Sequence, residues 1–156
     1  MGLTAKVSLD RSGCAYGDGP TGSVTLRTSL ARFLTERFTA CPTVRPEDIV
    51  VSSGLTALND MLAWTLADAG DGIMVGRPLY CSFPSDFWAR AKVRTVAVAF
   101  DGTDPFAPGC VGFYERAIVE WNNRPANVPG RVRVLVIVNP HNPLGLFALS
   151  LGVSWG

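Results

Sequence analysis

From residue 49 onward, short β-branched runs alternate with segments of helical period, and that alternation restricts the fold more than any other feature of these 156 residues. The runs are Ile49 to Ser52, Ile73 to Gly76, Thr95 to Phe100 and Val132 to Val138. The helical segments between them are Leu55 to Ala69, Tyr80 to Ala91 and Val111 to Asn123. Leu55, Leu58, Leu62 and Leu66 share one face of the first, and Asp71-Gly72 supplies the turn that stops it and feeds the next strand. A strand as apolar as Val134-Leu135-Val136-Ile137-Val138 is expected to be buried on both faces, which is how parallel sheets covered by helices are written. The expectation is an α/β fold: a doubly wound, mostly parallel sheet in an α-β-α sandwich, with right-handed crossovers and ligands at the carboxyl ends of its strands.

Ahead of this lies a different kind of sequence. Residues 1–20 carry no sustained periodicity, and Gly13, Gly17, Gly19, Pro20 and Gly22 mark an irregular arm. In Ser23 to Phe38 the apolar positions Leu26, Leu30, Phe33, Leu34 and Phe38 recur at steps of three and four, predicting an amphipathic helix that ends before Cys41-Pro42.

Composition narrows the function. With 47% hydrophobic and 17% charged residues the chain can form a core, and 14 Lys+Arg against 13 Asp+Glu leaves no basic excess for a nucleic-acid backbone. The longest apolar run, Val134 to Val138, is far short of the ~20 residues that span a bilayer. No signal peptide opens the chain, and Lys6 stands where a myristoylation signal wants Ser or Thr. A soluble, cytoplasmic protein is expected. Cys14, Cys41, Cys81 and Cys110 form no C-x-x-C pair, so free thiols rather than a metal site are expected. His141 is the only histidine and no G-x-S-x-G elbow accompanies it.

Three loops have the make-up of ligand sites. Gly17-Asp18-Gly19-Pro20-Thr21-Gly22 spells the dinucleotide pattern before a helix, but Arg11 to Tyr16 is a poor strand and no acid follows about 20 positions on. Ser52-Ser53-Gly54-Leu55-Thr56 takes a strand into a helix whose first amides point outward, with the Thr56 hydroxyl as a further donor. Either an anion binds there, or Ser52 or Ser53 caps the helix. Asn139-Pro140-His141-Asn142-Pro143-Leu144-Gly145 follows the most apolar strand, where two Asn-Pro pairs hold a rigid turn. Its amides serve either a ligand or an Asx turn.

The last loop resembles the N-P-x-N-P-x-G signature of fold-type I, pyridoxal-phosphate-dependent aminotransferases of class I/II. Other segments agree in order: Tyr16 to Arg27 with the family's arm, Ile49 to Asp60 with its phosphate loop, Ala67 to Asp71 with its L-A-D-x-G-D turn, and Arg77-Pro78-Leu79-Tyr80 with its P-x-Y segment. Gly54-Leu55-Thr56-Ala57-Leu58-Asn59-Asp60 leans towards the branch containing aminocyclopropane-carboxylate-synthase-like proteins. The resemblance implies pyridoxal 5′-phosphate as cofactor, an amino acid as substrate, and a homodimer. By position it implies phosphate binding by Gly54, Leu55 and Thr56, stacking of Tyr80 on the pyridine ring, a hydrogen bond from Asn142 to the ring 3′-oxygen, and contact of Tyr16 with the partner subunit's phosphate.

The family's Schiff-base lysine has no counterpart, because Lys6 lies in the arm and Lys92 precedes a strand. The sequence after Gly145 departs from the family, whose lysine, pyridine-nitrogen acid and two arginines would fall beyond residue 156. These features are expected of a truncated or misread gene product. The expected organisation is an arm at 1–22, an incomplete large domain at 23–145 with four strands, an exposed edge and an exposed apolar face, and an unrelated tail at 146–156. Three functions compete: an enzyme's cofactor-binding part, a catalytically inactive subunit or binding module, and a nicotinamide-binding domain resting on Gly17, Gly19 and Gly22.

Overall fold

A computed structural model describes residues 18–38, 43–125 and 127–146, which fall into two units, Met1–Ser53 and Gly54–Gly156. In the first unit, helix α1 runs Val24–Phe38, as its periodicity predicts, although Ala31 is its buried residue and Phe33 and Phe38 are exposed. Its first turn is closed by the chain itself: Asp18 Oδ2 accepts from the Val24 amide at 2.9 Å and Ser23 Oγ from the Leu26 amide at 3.2 Å. Arg27 donates to the carbonyls of Gly22 at 3.0 Å and Pro46 at 2.9 Å, tying the arm to a 3₁₀ turn at Pro46–Asp48. The strand expected at Ile49 to Ser52 does not form. Val51 N donates to the Thr21 carbonyl at 3.0 Å, but no strand lies alongside among the described residues, and Val50 is exposed. A strand exists only with a neighbour, and a run as short as Ile49 to Ser52 carries no information about one.

The second unit holds α2 (Leu55–Leu66), β1 (Gly72–Gly76), α3 (Phe83–Trp88), β2 (Arg94–Val98), α4 (Val111–Asn122) and β3 (Val132–Val136). The strands form a parallel sheet in the order β2-β1-β3, with β1 paired on both sides. The alternation thus yields the α/β class and three of the four expected strands. Side chains of β1 alternate between two cores. Ile73 and Val75 meet Ala63 of α2 and Phe83 and Phe87 of α3, whereas Met74 joins Val96, Val98, Phe100 and Cys110 under α4. Helices therefore cover both faces, and all five residues of β1 are buried.

The strand expected to be buried on both faces is not. Val134, Val136 and Val138 pack against the α2–α3 core, but Leu135 is 44% and Ile137 58% exposed on the other face. α4 lies over β2 and the start of β3, where Val132 joins its core, and β3 is an edge of the described sheet, so Leu135 and Ile137 further along are left uncovered among the described residues. The expected open edge and apolar face are both present there.

At the amino end of β1, the Asp71 carboxylate ties three segments together. It accepts from the Arg131 amide at 2.7 Å, the Asp68 amide at 3.1 Å and Arg133 Nε at 2.9 Å. Arg133 is the extra residue of a bulge between the Gly72–Val132 and Ile73–Val134 pairs, which brings its side chain to Asp71. Burial alone pushes this carboxyl up; the two amides and the guanidinium outweigh it and hold its pKa below the ordinary value. A carboxyl with a lowered folded pKa adds stability that is present above its unfolded pKa of about 4 and lost as pH falls through the folded value. Asp71→Asn is expected to lower stability at pH 7 by about 1–3 kcal/mol, and to remove part of the acid sensitivity seen below about pH 4. Urea unfolding across pH measures both.

Candidate functional site

Three loops meet at one edge of the sheet for a geometric reason. The strands are parallel, so their carboxyl ends share that edge. α2 has 12 residues and β1 has five, which makes them about 18 and 16 Å long. The short turn 67–71 folds α2 back along β1, and the N-terminus of α2 arrives level with the end of the strand. The starts of α2, of the segment after β1 and of the segment after β3 are neighbours by construction.

Gly54 is the N-cap of α2, at φ 93° and ψ 172°, a conformation essentially restricted to glycine. The cap is therefore neither Ser52 nor Ser53, and it brings no side chain to the first turn. The intrahelical ladder starts at Leu58, whose amide donates to the Gly54 carbonyl at 3.2 Å, so the helix leaves the preceding amides without intrahelical partners. Gly54, Leu55 and Thr56 are exposed, and the Thr56 hydroxyl has no hydrogen bond among the described residues. An anion at this end would gain from the helix dipole and these donors.

The dinucleotide candidate contrasts with it. Gly17 and the strand it would need lie outside the described residues. Gly22, at φ 100°, has a packing reason to be glycine, since a Cβ there would sit 2.8 Å from the Val51 Cβ. The helix end behind it already holds the Asp18 carboxylate, which would repel a pyrophosphate.

Tyr80 precedes α3 rather than opening it, because the helix starts at Phe83. Its half-buried ring meets Phe83 edge-on at 5.4 Å, and Phe83 stacks on Phe87 at 5.5 Å. This aromatic row seats Tyr80 against the α2–α3 core. In the third loop both Asn-Pro peptides are cis. The turn is closed by His141, whose amide donates to Leu146 O at 2.6 Å and whose carbonyl accepts from Gly145 N at 2.7 Å. Neither asparagine side chain bonds within the described residues, so the loop is not an Asx turn and the exposed Asn142 amide is available. Tyr16 lies outside the described residues.

Lys92 is at the other end of the sheet. It stands two residues before β2, at φ 56°, with Nζ donating to the Ala89 carbonyl at 3.0 Å. The length of a strand separates it from the three loops. Beside the loops on the α4 face is a cavity of about 70 Å³ that includes Tyr114, Cys110 and His141. Ligand pockets begin near 300 Å³, so this space is smaller than most. Burial pushes the Cys110 thiol and the Tyr114 phenol up, so both stay protonated at neutral pH.

Sequence reasoning missed one feature of the site. Asn59 of α2 and Asp86 of α3 are both buried, and Asn59 Nδ2 donates to Asp86 Oδ2 at 2.9 Å. The only signal was a polar residue in each of two otherwise apolar helix faces.

Comparison with known proteins places the chain in a family. A family model for aminotransferases of class I and II matches residues 5–148. The chain is 29% identical over 137 residues to the probable aminotransferase sirI of Leptosphaeria maculans, covering 88% of this chain and 32% of that one. It is 32% identical over 127 residues to 1-aminocyclopropane-1-carboxylate synthase 4 of Oryza sativa subsp. japonica, with 81% and 25% covered. A mutant aspartate aminotransferase from Thermus thermophilus superposes with a TM-score of 0.59 at 27% identity, over 80% of this chain and 30% of that one. Kynurenine aminotransferase from Pyrococcus horikoshii, at 20% identity, shares the fold with a TM-score of 0.65 over 88% and 31%. The chain thus spans between a quarter and a third of the length of these relatives. With nearly its whole length matched, the chain belongs to the class I and II aminotransferase family.

Proposed function

We propose that this chain is the cofactor-holding part of a pyridoxal-phosphate-dependent enzyme acting on amino acids, an aminotransferase or a lyase of the aminocyclopropane-carboxylate-synthase type. Pyridoxal 5′-phosphate is the cofactor of the family. The observation that carries the reading is the glycine-capped start of α2, with a Thr56 hydroxyl that has no hydrogen bond among the described residues, at the edge where Tyr80 and Asn142 also emerge. The donor set fits the group: amides and a hydroxyl suit a dianionic phosphate, an aromatic face suits a pyridine ring, and a carboxamide N–H suits a ring oxygen.

Gly54, Leu55 and Thr56 would donate to the phosphate, Tyr80 would lie against the ring, and Asn142 would donate to the 3′-oxygen. When bound, the cofactor supplies an electron sink for charge developing at the substrate α-carbon. Asn142 would hold the ring's oxygen polarised, and Tyr80 would fix the ring plane. Tyr16 would reach the phosphate of a partner subunit in a homodimer, and residues 23–145 would form an incomplete large domain. The setting would be cytoplasmic; among the described residues no helix is long and apolar enough to cross a membrane.

The second reading is a binding module without catalysis, and the position of Lys92 favours it for these 156 residues alone. The chain mixed with pyridoxal 5′-phosphate should retain it noncovalently, prefer it to unphosphorylated pyridoxal, and show no borohydride-fixed adduct on Lys92 by peptide mass spectrometry. An adduct there would overturn the assigned geometry.

Thr56→Ala is expected to raise the dissociation constant for the phosphate form by roughly tenfold or more, since one hydrogen bond to a charged group contributes about 1.5–3 kcal/mol. Asn142→Ala should leave retention nearly intact and shift the cofactor's absorption and its pH dependence, because it touches the ring oxygen rather than the phosphate. Equal effects of the two on affinity and spectrum would refute the division of roles. Gly54→Ala should lower stability by about 1–3 kcal/mol through backbone strain, read as a shift in the urea midpoint, and weaken phosphate binding alongside.

A further inference from the structure

The phosphate seat is on α2 and the ring seat is just ahead of α3, so any ligand using both depends on how these two helices are set against each other. Most of their contact is undirected. Ala63 shares an apolar core with Phe83 and Phe87, and burial of apolar surface is non-directional. On the solvent side Arg90 pairs with Asp60 at 3.0 Å, half exposed and weak. Asn59 and Asp86 differ from both. They are 7% and 5% exposed, and their hydrogen bond of 2.9 Å is made away from water, where direction and distance are tightly enforced.

The pair is also well placed to matter. Asn59 is one helical turn, about 4.5 Å of rise, beyond Thr56. Asp86 is three residues beyond Phe83, the ring on which Tyr80 rests. Two apolar residues of similar volume would pack at least as stably, so a buried polar pair here selects one register rather than adding stability.

We propose that the Asn59–Asp86 hydrogen bond is a positioning element that sets the spacing between the phosphate seat at Gly54–Thr56 and the ring seat at Tyr80. It rests on the cofactor reading above. Neither residue is among the groups assigned to the ligand, and both are buried between the helices. A ligand that uses one seat should not sense the pair, and a ligand that spans both should.

The test measures calorimetric binding of inorganic phosphate and of pyridoxal 5′-phosphate to the whole chain, to Asn59→Leu/Asp86→Leu and to the exchanged Asn59→Asp/Asp86→Asn. The leucine pair fills the space and leaves no buried polar group unpaired, so the fold is expected to survive, as thermal unfolding will verify. In that variant the dissociation constant for inorganic phosphate should stay unchanged while that for pyridoxal 5′-phosphate rises about tenfold, a difference of about 1.4 kcal/mol. The exchanged pair, which keeps the hydrogen bond, should recover most of the loss. Unchanged binding of pyridoxal 5′-phosphate by the leucine pair, or an equal loss for both ligands, would overturn the positioning role. Failure of the cofactor reading is visible earlier, in the unsubstituted chain: if it binds pyridoxal 5′-phosphate no better than inorganic phosphate, that reading falls and the positioning role with it.

Discussion

Parallel pairing on both sides of Gly72–Gly76 is the constraint from which the rest of the second unit follows. Parallel neighbours cannot be joined by a tight turn, so the chain must leave the sheet and return between β1 and β2 and again between β2 and β3. The returning segments, α3 and α4, lie on opposite faces and bury both sides of β1. The same constraint sends every carboxyl end to one edge. The ligand site proposed there would follow from strand direction.

Asp71 shows what such a strand requires at its other end. The carboxylate is taken out of water, which is unfavourable, and the return comes from three donors on two segments far apart in sequence. Its neighbour in sequence, Asp68, gives an amide from the turn after α2, while Arg131 and Arg133 come from the start of β3. One side chain thereby fixes the register of β3 on β1 and the re-entry of α2. The register in turn decides how far the third loop projects at the opposite edge.

The starts of α1 and α2 differ in the local choice of cap. α1 is closed by Asp18 and Ser23, which satisfy its amides and place a negative charge at its positive end. α2 is opened by a glycine that brings no such group. Both are preceded by glycine-containing loops, and a pattern of glycines alone does not separate them. The carboxylate one turn ahead does.

The sequence by itself determined the secondary-structure alternation, the α/β class, the turn at Asp71 and the loops in which the candidate site residues stand. These are local properties: period, turn residues and the order of motifs are all carried by contiguous residues. The family resemblance is equally legible for the same reason. Tertiary structure alone decided that Ile49 to Ser52 is no strand, that Val132–Val136 is half-covered rather than buried, and that Asn59 and Asp86 meet across 27 positions. Each of these depends on which element lies alongside, and a run of apolar residues states how much surface it offers without stating what will cover it.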